Sequence, residues 1–392
     1  LFPFCKNNDY YSHQNKSRET SWPFRECNVT PLFLPKKGVV MEFRHLFARR
    51  ALTAALLFGT SFATFTSHAA DELLRKPVDK GAYEMVYSPA EQALYVATSQ
   101  SRSMDKGGVV YKLDPATLDV KQRIHNDLKP FGAAINTKTD TLWVGNTVDS
   151  AVTAIDAKTG EVKGRLVLDK RKRSETVKPM HTRQLAVDEA TNTVYVTGLS
   201  EDSVIWVIDG ETMTLRTTLT GTGKYSTGLA VDSAAKRVYT TNADGELIAF
   251  DTTNNKQVLR KKLLDDGKEH FFLNISLDPA NHRAFITDSS QPQVLAVDTR
   301  DGTVLAKIDA PASLAVLFNP ARNEAYVTHR QAGTVSVIDA KTYKVVKTFE
   351  TPVHPNSLAL SPDGKTLYVS VKQPSSRKQE ATSPDDIIRI AL

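Results

Sequence analysis

His181, His270, His329 and His354, with Asp288, fall in polar breaks between aliphatic runs. Imidazole and carboxylate together suit transition-metal ligation and proton transfer near neutral pH. None of these residues shares a local ligand spacing such as His-Glu-x-x-His, so histidines lining a surface or channel without metal are the plainer expectation. Gly364-Lys365-Thr366 ends like a phosphate-binding loop, but Ala359 stands where that pattern needs its first glycine, and a strand turn replaces the helix N-terminus. There is no Gly-x-Ser-x-Gly. The two cysteines, Cys5 and Cys27, lie near the start of the chain. The expectation is a protein without catalysis, metal or cofactor.

A second chemistry is better represented. Cations and histidines stand beside aromatic rings at Lys129 and Phe131, at Arg183, at Lys224 and Tyr225, at His270 and Phe271, and at His329, Arg330 and His354. Rings that stack on bases and cations that follow phosphates are what a single-stranded nucleic acid requires. The same rings could instead plug a central channel. The densest basic run, Lys170-Arg171-Lys172-Arg173, reads first as a solvated loop.

These residues need a frame that brings them to one side. The frame is a repeat. An aliphatic run, a small-residue break, a second run ending in Asp and a short turn recur seven times from Leu94 to Leu392. The aromatic of each copy is Tyr95, Trp143, Tyr195, Tyr239, Phe285, Tyr326 or Tyr368, at steps of 48, 52, 44, 46, 41 and 42 residues. That period is the size of a four-stranded blade. The fold class predicted is all-β: a seven-bladed β-propeller over 70–392. In the fourth blade the strands are read as 228–231, 237–241, 245–250 and 256–262. The last blade runs out of sequence after its third strand, so the segment at 72–76 is expected to supply the fourth and close the ring. Asp114, Asp156, Asp209, Asp251, Asp298 and Asp339 each end a third strand, where a carboxylate accepts turn N–H groups; a catalytic role is rejected. In such a ring the loops before first strands and those between second and third strands share one face, which gathers the cation–aromatic residues.

Ahead of the repeat, Met41 opens a segment with Arg44, Arg49 and Arg50, the apolar run 51–65 and the small-residue close Ser67-His68-Ala69-Ala70. This reads as a secretory signal peptide over 41–69, its apolar run too short to span a bilayer. Residues 1–40 are expected to be an over-called extension. The whole chain carries 50 Lys and Arg against 44 Asp and Glu, a net +6. Residues 1–69 hold nine of those cations and four of the acids, which leaves the repeat region close to neutral. The basic balance is therefore no argument for nucleic-acid binding. A monomer is expected, without membrane insertion of the mature chain.

Val194-Tyr195-Val196-Thr197, Tyr326-Val327-Thr328 and Val337-Ile338-Asp339-Ala340-Lys341-Thr342 resemble the YVTN β-propeller repeat, and 70–392 resembles the YncE-type periplasmic proteins of enteric bacteria. Residues 81–85, 268–272 and 318–322 carry the likeness further. The resemblance implies a seven-bladed fold, a periplasmic location, binding of DNA including single strands, and no known catalysis. Two alternatives stay open: a metal-dependent lactonase-like hydrolase, and a scaffold for a periplasmic protein partner.

Overall fold

The computed structural model describes residues 73–392 apart from 102, 104, 105, 353 and 376–378. The signal-peptide and extension readings lie outside these residues. The chain forms seven four-stranded antiparallel sheets, each a blade. Six are built from consecutive strands, and the aliphatic repeat of the sequence maps onto them directly. The fourth comprises Gly228–Asp232, Arg237–Thr241, Glu246–Asp251 and Gln257–Lys262, innermost to outermost, within a residue of the strands expected.

The seventh blade is the exception that closes the ring. Its first three strands, Pro355–Leu360, Thr366–Val371 and Asp385–Ala391, come from the end of the chain, and Leu73–Asp79 pairs on the outside. The register is antiparallel, with Leu73 opposite Ile390 and Arg75 opposite Ile388. The Arg75 guanidinium clasps Asp386 through Nε at 2.9 Å and Nη2 at 2.5 Å.

Burial explains why the two middle strands of every blade read as continuous aliphatic runs. Packed between neighbouring sheets, they have no solvent face. The repeat aromatics Tyr95, Trp143, Tyr195, Tyr239, Phe285, Tyr326 and Tyr368 are all buried. The phenols also join blades: Tyr95 donates to the Ala157 carbonyl in the next blade, and Tyr368 donates to Pro115 O across the closure at 3.0 Å. The recurrent aspartates cap the turns after the third strands. Asp114 accepts the N–H groups of Ala116 and Thr117 at 2.9 Å, and Asp209 those of Glu211 and Thr212 at 2.9 Å. The Thr117 N–H bond first, and the Lys121 ammonium next, hold the Asp114 carboxyl down at about 2. Outer strands carry exposed cations such as Lys163, Arg260, Lys261 and Lys347, which discourage edge-to-edge pairing.

At the closure, Lys372 and Asp385 form a buried ion pair, Nζ to Oδ2 at 2.9 Å. Asp385 also accepts Ala82 N–H at 2.9 Å, and Lys372 donates to Ala82 O at 3.2 Å. The pair thereby fastens blade 7 to the first residue of the inner strand of blade 1, Ala82–Ser88. Removing one member of a buried pair strands the other, at a cost of about 3–5 kcal/mol. Lys372→Ala or Asp385→Ala should lower the unfolding free energy by that order, read as a lower urea midpoint at unchanged slope, and Tyr225→Ala, on a distant loop, should not. An unchanged midpoint in both closure variants would remove the pair from the account of stability.

Candidate functional site

The loops that precede inner strands and those that join second to third strands hold seven of the ten residues singled out in the sequence; Phe131, Arg183 and His329 lie on the adjoining strand ends. The structure divides them into two groups. Lys129, Phe131, Arg183, His270 and His329 are buried. Lys224, Tyr225, Phe271, Arg330 and His354 are half-buried on the loops.

The first group is engaged in internal bonding. Lys129 Nζ donates to Ser99 O at 3.0 Å and Gly107 O at 3.1 Å, tying down the loop of blade 1. Arg183, on the inner strand of blade 3, reaches Glu84 of blade 1 at 3.3 Å. Its guanidinium lies 4.8 Å from the Phe131 ring of blade 2. Phe131 packs on Tyr83 at 4.2 Å between centroids, and Lys372 Nζ sits 3.9 Å from the Tyr83 ring. A strut of two cations with two stacked rings between them thus runs from blade 7 to blade 3. Burial raises the Glu84 carboxyl, and the Arg183 charge opposes that rise. This strut was not foreseen, because Glu84 and Arg183 are 99 residues apart in sequence.

Each of the four histidines singled out in the sequence has a partner suited to hydrogen bonding. His329 donates from Nδ1 to Pro311 O at 2.9 Å, which leaves Nε2 to accept from Ser336 Oγ at 2.9 Å. His354 Nδ1 donates to Arg330 O at 3.1 Å. His270 lies between Asp288 at 2.7 Å and Asp266 at 2.9 Å, and its bond to Asp266 draws that carboxyl down. His181 Nε2 faces Arg173 Nη2 at 3.3 Å; arginine only donates, so the ring accepts. Burial first, and the Arg173 charge second, depress His181 to about 4. Among the described residues no group of three or more His, Cys, Asp or Glu is arranged to hold a metal ion.

In the second group the loop between blades 3 and 4 has the most distinctive geometry. Tyr225 holds φ at +47°, a left-handed conformation that a bulky aromatic residue seldom adopts. Most other non-glycine residues with positive φ sit in turns on the opposite face, whereas Tyr225 shares this face with Gln100 and Ser150. The strain is held by Tyr225 N–H donating to Ser200 O at 2.9 Å and by Asp244 accepting Lys224 N–H at 2.8 Å. Lys224 Nζ lies 5.6 Å from the Tyr225 ring, and both side chains meet Glu201, at 3.0 Å and 2.8 Å. The result is an accessible ring beside an ammonium, both oriented by one carboxylate.

The profile of the YNCE-like β-propeller family matches residues 88–381. This chain belongs to that family. It is 70% identical to the YncE protein of Escherichia coli K12 over 354 residues, which cover 90% of this chain and all of the relative. The YncE protein of Salmonella typhimurium LT2 is 69% identical over the same length and coverage. A more distant match, 28% identical over 196 residues, is the antigen Lp49 of Leptospira interrogans; it covers 47% of this chain and 41% of that protein.

The depressed His181 gives a pH signature. Its ordinary value is 6.5, so between that pH and about 4 the unfolded chain binds the proton that the folded chain refuses. Stability should be full above pH 6.5 and fall on acidification through that window. Urea midpoints at pH 7 and pH 5 should differ by less in His181→Asn than in the parent; identical differences would discard this assignment.

Proposed function

We propose that this protein is an exported, non-catalytic binding module of the periplasm that takes single-stranded DNA across the loop face. The observation that carries the reading is the Lys224–Tyr225 pair: a ring held in a costly backbone conformation, outward on the face, with a cation alongside. Backbone strain of this kind persists where the surroundings enforce it, and such places cluster at binding sites. Base stacking on the ring and phosphate contact by the ammonium, displacing Glu201, is the matching chemistry. Phe271, Arg330 and His354 extend the same surface. The buried residues Lys129, Phe131, Arg183, His270 and His329 act beneath it as positioning residues.

Fluorescence anisotropy with a labelled oligonucleotide at two salt concentrations tests the reading. Each single-strand phosphate contact should contribute a slope of about −0.7 in log K against log salt. Tyr225→Ala should weaken binding by about 1–3 kcal/mol without changing the salt slope, and Lys224→Ala should reduce the slope. Absence of binding at low salt would refute the proposal. Full affinity in a Tyr225→Ala, Phe271→Ala double variant would move the site off this face.

A further inference from the structure

The loop 263–271 joins the outer strand of blade 4, Gln257–Lys262, to the inner strand of blade 5, Phe272–Asp278. Leu263 and Leu264 are buried, residues 265–269 are exposed, and His270 turns back inside with its side chain 2% exposed. Both of its ring nitrogens face carboxylates. Nδ1 lies 2.7 Å from Asp288 Oδ2, and Nε2 lies 2.9 Å from Asp266 Oδ1 on the exposed stretch. The Phe272 ring stacks on the imidazole at 5.6 Å between centroids. A neutral imidazole has one donor and one acceptor, whereas an ionised carboxylate only accepts. The imidazolium alone satisfies both carboxylates at once. The bond from His270 is also the chief cause that holds the Asp266 carboxyl below its ordinary value.

The two carboxylates are not equivalent. Asp288 ends the second strand of blade 5, Arg283–Asp288, and is fully buried. It is also held by Phe271 N–H at 3.3 Å, Ser290 N–H at 2.9 Å, Gln291 N–H at 3.2 Å and Gln293 Nε2 at 3.1 Å. Asp266 sits at the surface and accepts Lys268 N–H at 3.1 Å from its own turn. When the ring gives its second proton to solvent, one carboxylate is left facing a lone pair. Asp266 is the one that yields, because water can solvate it and cannot reach Asp288. The other charged groups around the ring leave this choice unchanged. On the same loop Asp265, Lys268 and Glu269 are exposed. From blade 4 the backbone approaches at Gly245, whose flanking acids are engaged, Asp244 by Lys224 N–H and Glu246 by Arg260. From the third strand of blade 5, the Gln293 amide approaches Nδ1 at 3.4 Å without a charge.

We propose that His270 is a proton-operated clasp on the loop that carries Phe271: charged, it draws Asp266 in, and neutral, it lets the stretch 265–269 go. The consequence for a ligand is electrostatic. In the closed state the imidazolium balances Asp266. In the released state the loop presents an unbalanced carboxylate on the face that bears the Phe271 ring. An anionic ligand is then held more weakly, and by reciprocity a bound anion helps the ring keep its proton. The effect on a strand rests on the reading of the face given above; the clasp itself does not.

NMR of the uniformly 15N-labelled protein from about pH 6 to about pH 9 tests the clasp, alongside anisotropy with a labelled oligodeoxyadenylate over the same range. At about pH 7 both His270 ring nitrogens should show protonated shifts. As the ring loses its proton, the amide signals of 265–269 should move with the same midpoint. Oligonucleotide affinity should fall about fivefold across that step, the worth of one exposed charge contact. Asp266→Asn changes a surface residue and keeps the fold. Its amide can answer either form of the ring, accepting from the N–H or donating to the lone pair, so loop signals and affinity should show no step. His270→Gln should also remove the step, and His354→Gln, at the half-buried histidine of the same face, should keep it. A His270 ring that holds one charge state across the range, or loop amides that ignore its titration, would overturn the proposal. A matched step in ring and loop without oligonucleotide binding would support the clasp and reject the DNA reading of the face. Oligonucleotide binding with one and the same pH profile in the parent and in Asp266→Asn would retain the face and reject the clasp.

Discussion

The ring depends on a junction between the two ends of its chain. Six blades are contiguous and form locally, but the seventh forms only when Leu73–Asp79 returns to the edge left by Asp385–Ala391. Pairing along that edge removes an exposed ladder of N–H and C=O groups. The Lys372–Asp385 pair then holds Ala82 by both its N–H and its carbonyl. A buried pair seldom adds much stability over an apolar substitute; what it adds here is specificity, because only one neighbouring backbone answers both charges. Every loop on the face takes its place from a blade whose angular position this junction sets.

The two faces of the ring solve different problems. On one, an aspartate after the third strand gathers the turn N–H groups, as at Asp114, Asp209 and Asp339. These sites repeat because the geometry they serve repeats. On the other face the described loops differ in length and bonding. One is the Lys80-Gly81 link between Leu73–Asp79 and Ala82–Ser88, and another is the excursion at 168–180 with its own internal bonding. Chemistry on this scaffold belongs with the irregular loops.

The difference also explains what could be read from the sequence. Blade number, strand limits and the structural role of the aspartates follow from periodicity, because each blade packs by the same local rule. The closing strand was legible because the final copy is one strand short. The site was harder. Lys129 and Arg183 look in sequence like surface cations beside rings, yet one ties down a neighbouring loop and the other reaches Glu84 two blades away. Such contacts arise from angular position around an axis, which linear spacing does not encode. Lys224 and Tyr225 lie on the loop that leads into Gly228–Asp232, but the left-handed backbone at Tyr225 is a tertiary effect that no local signal announces.

The strut from Lys372 through Tyr83, Phe131 and Arg183 to Glu84 gives this ring an unusual mechanical property. Propeller blades ordinarily feel only their immediate neighbours, so a displacement dies away around the circle. Here a side-chain brace links blade 3 with the blades on both sides of the seam. Force applied at the loops of blade 3 is therefore delivered to the weld where the chain's beginning meets its end.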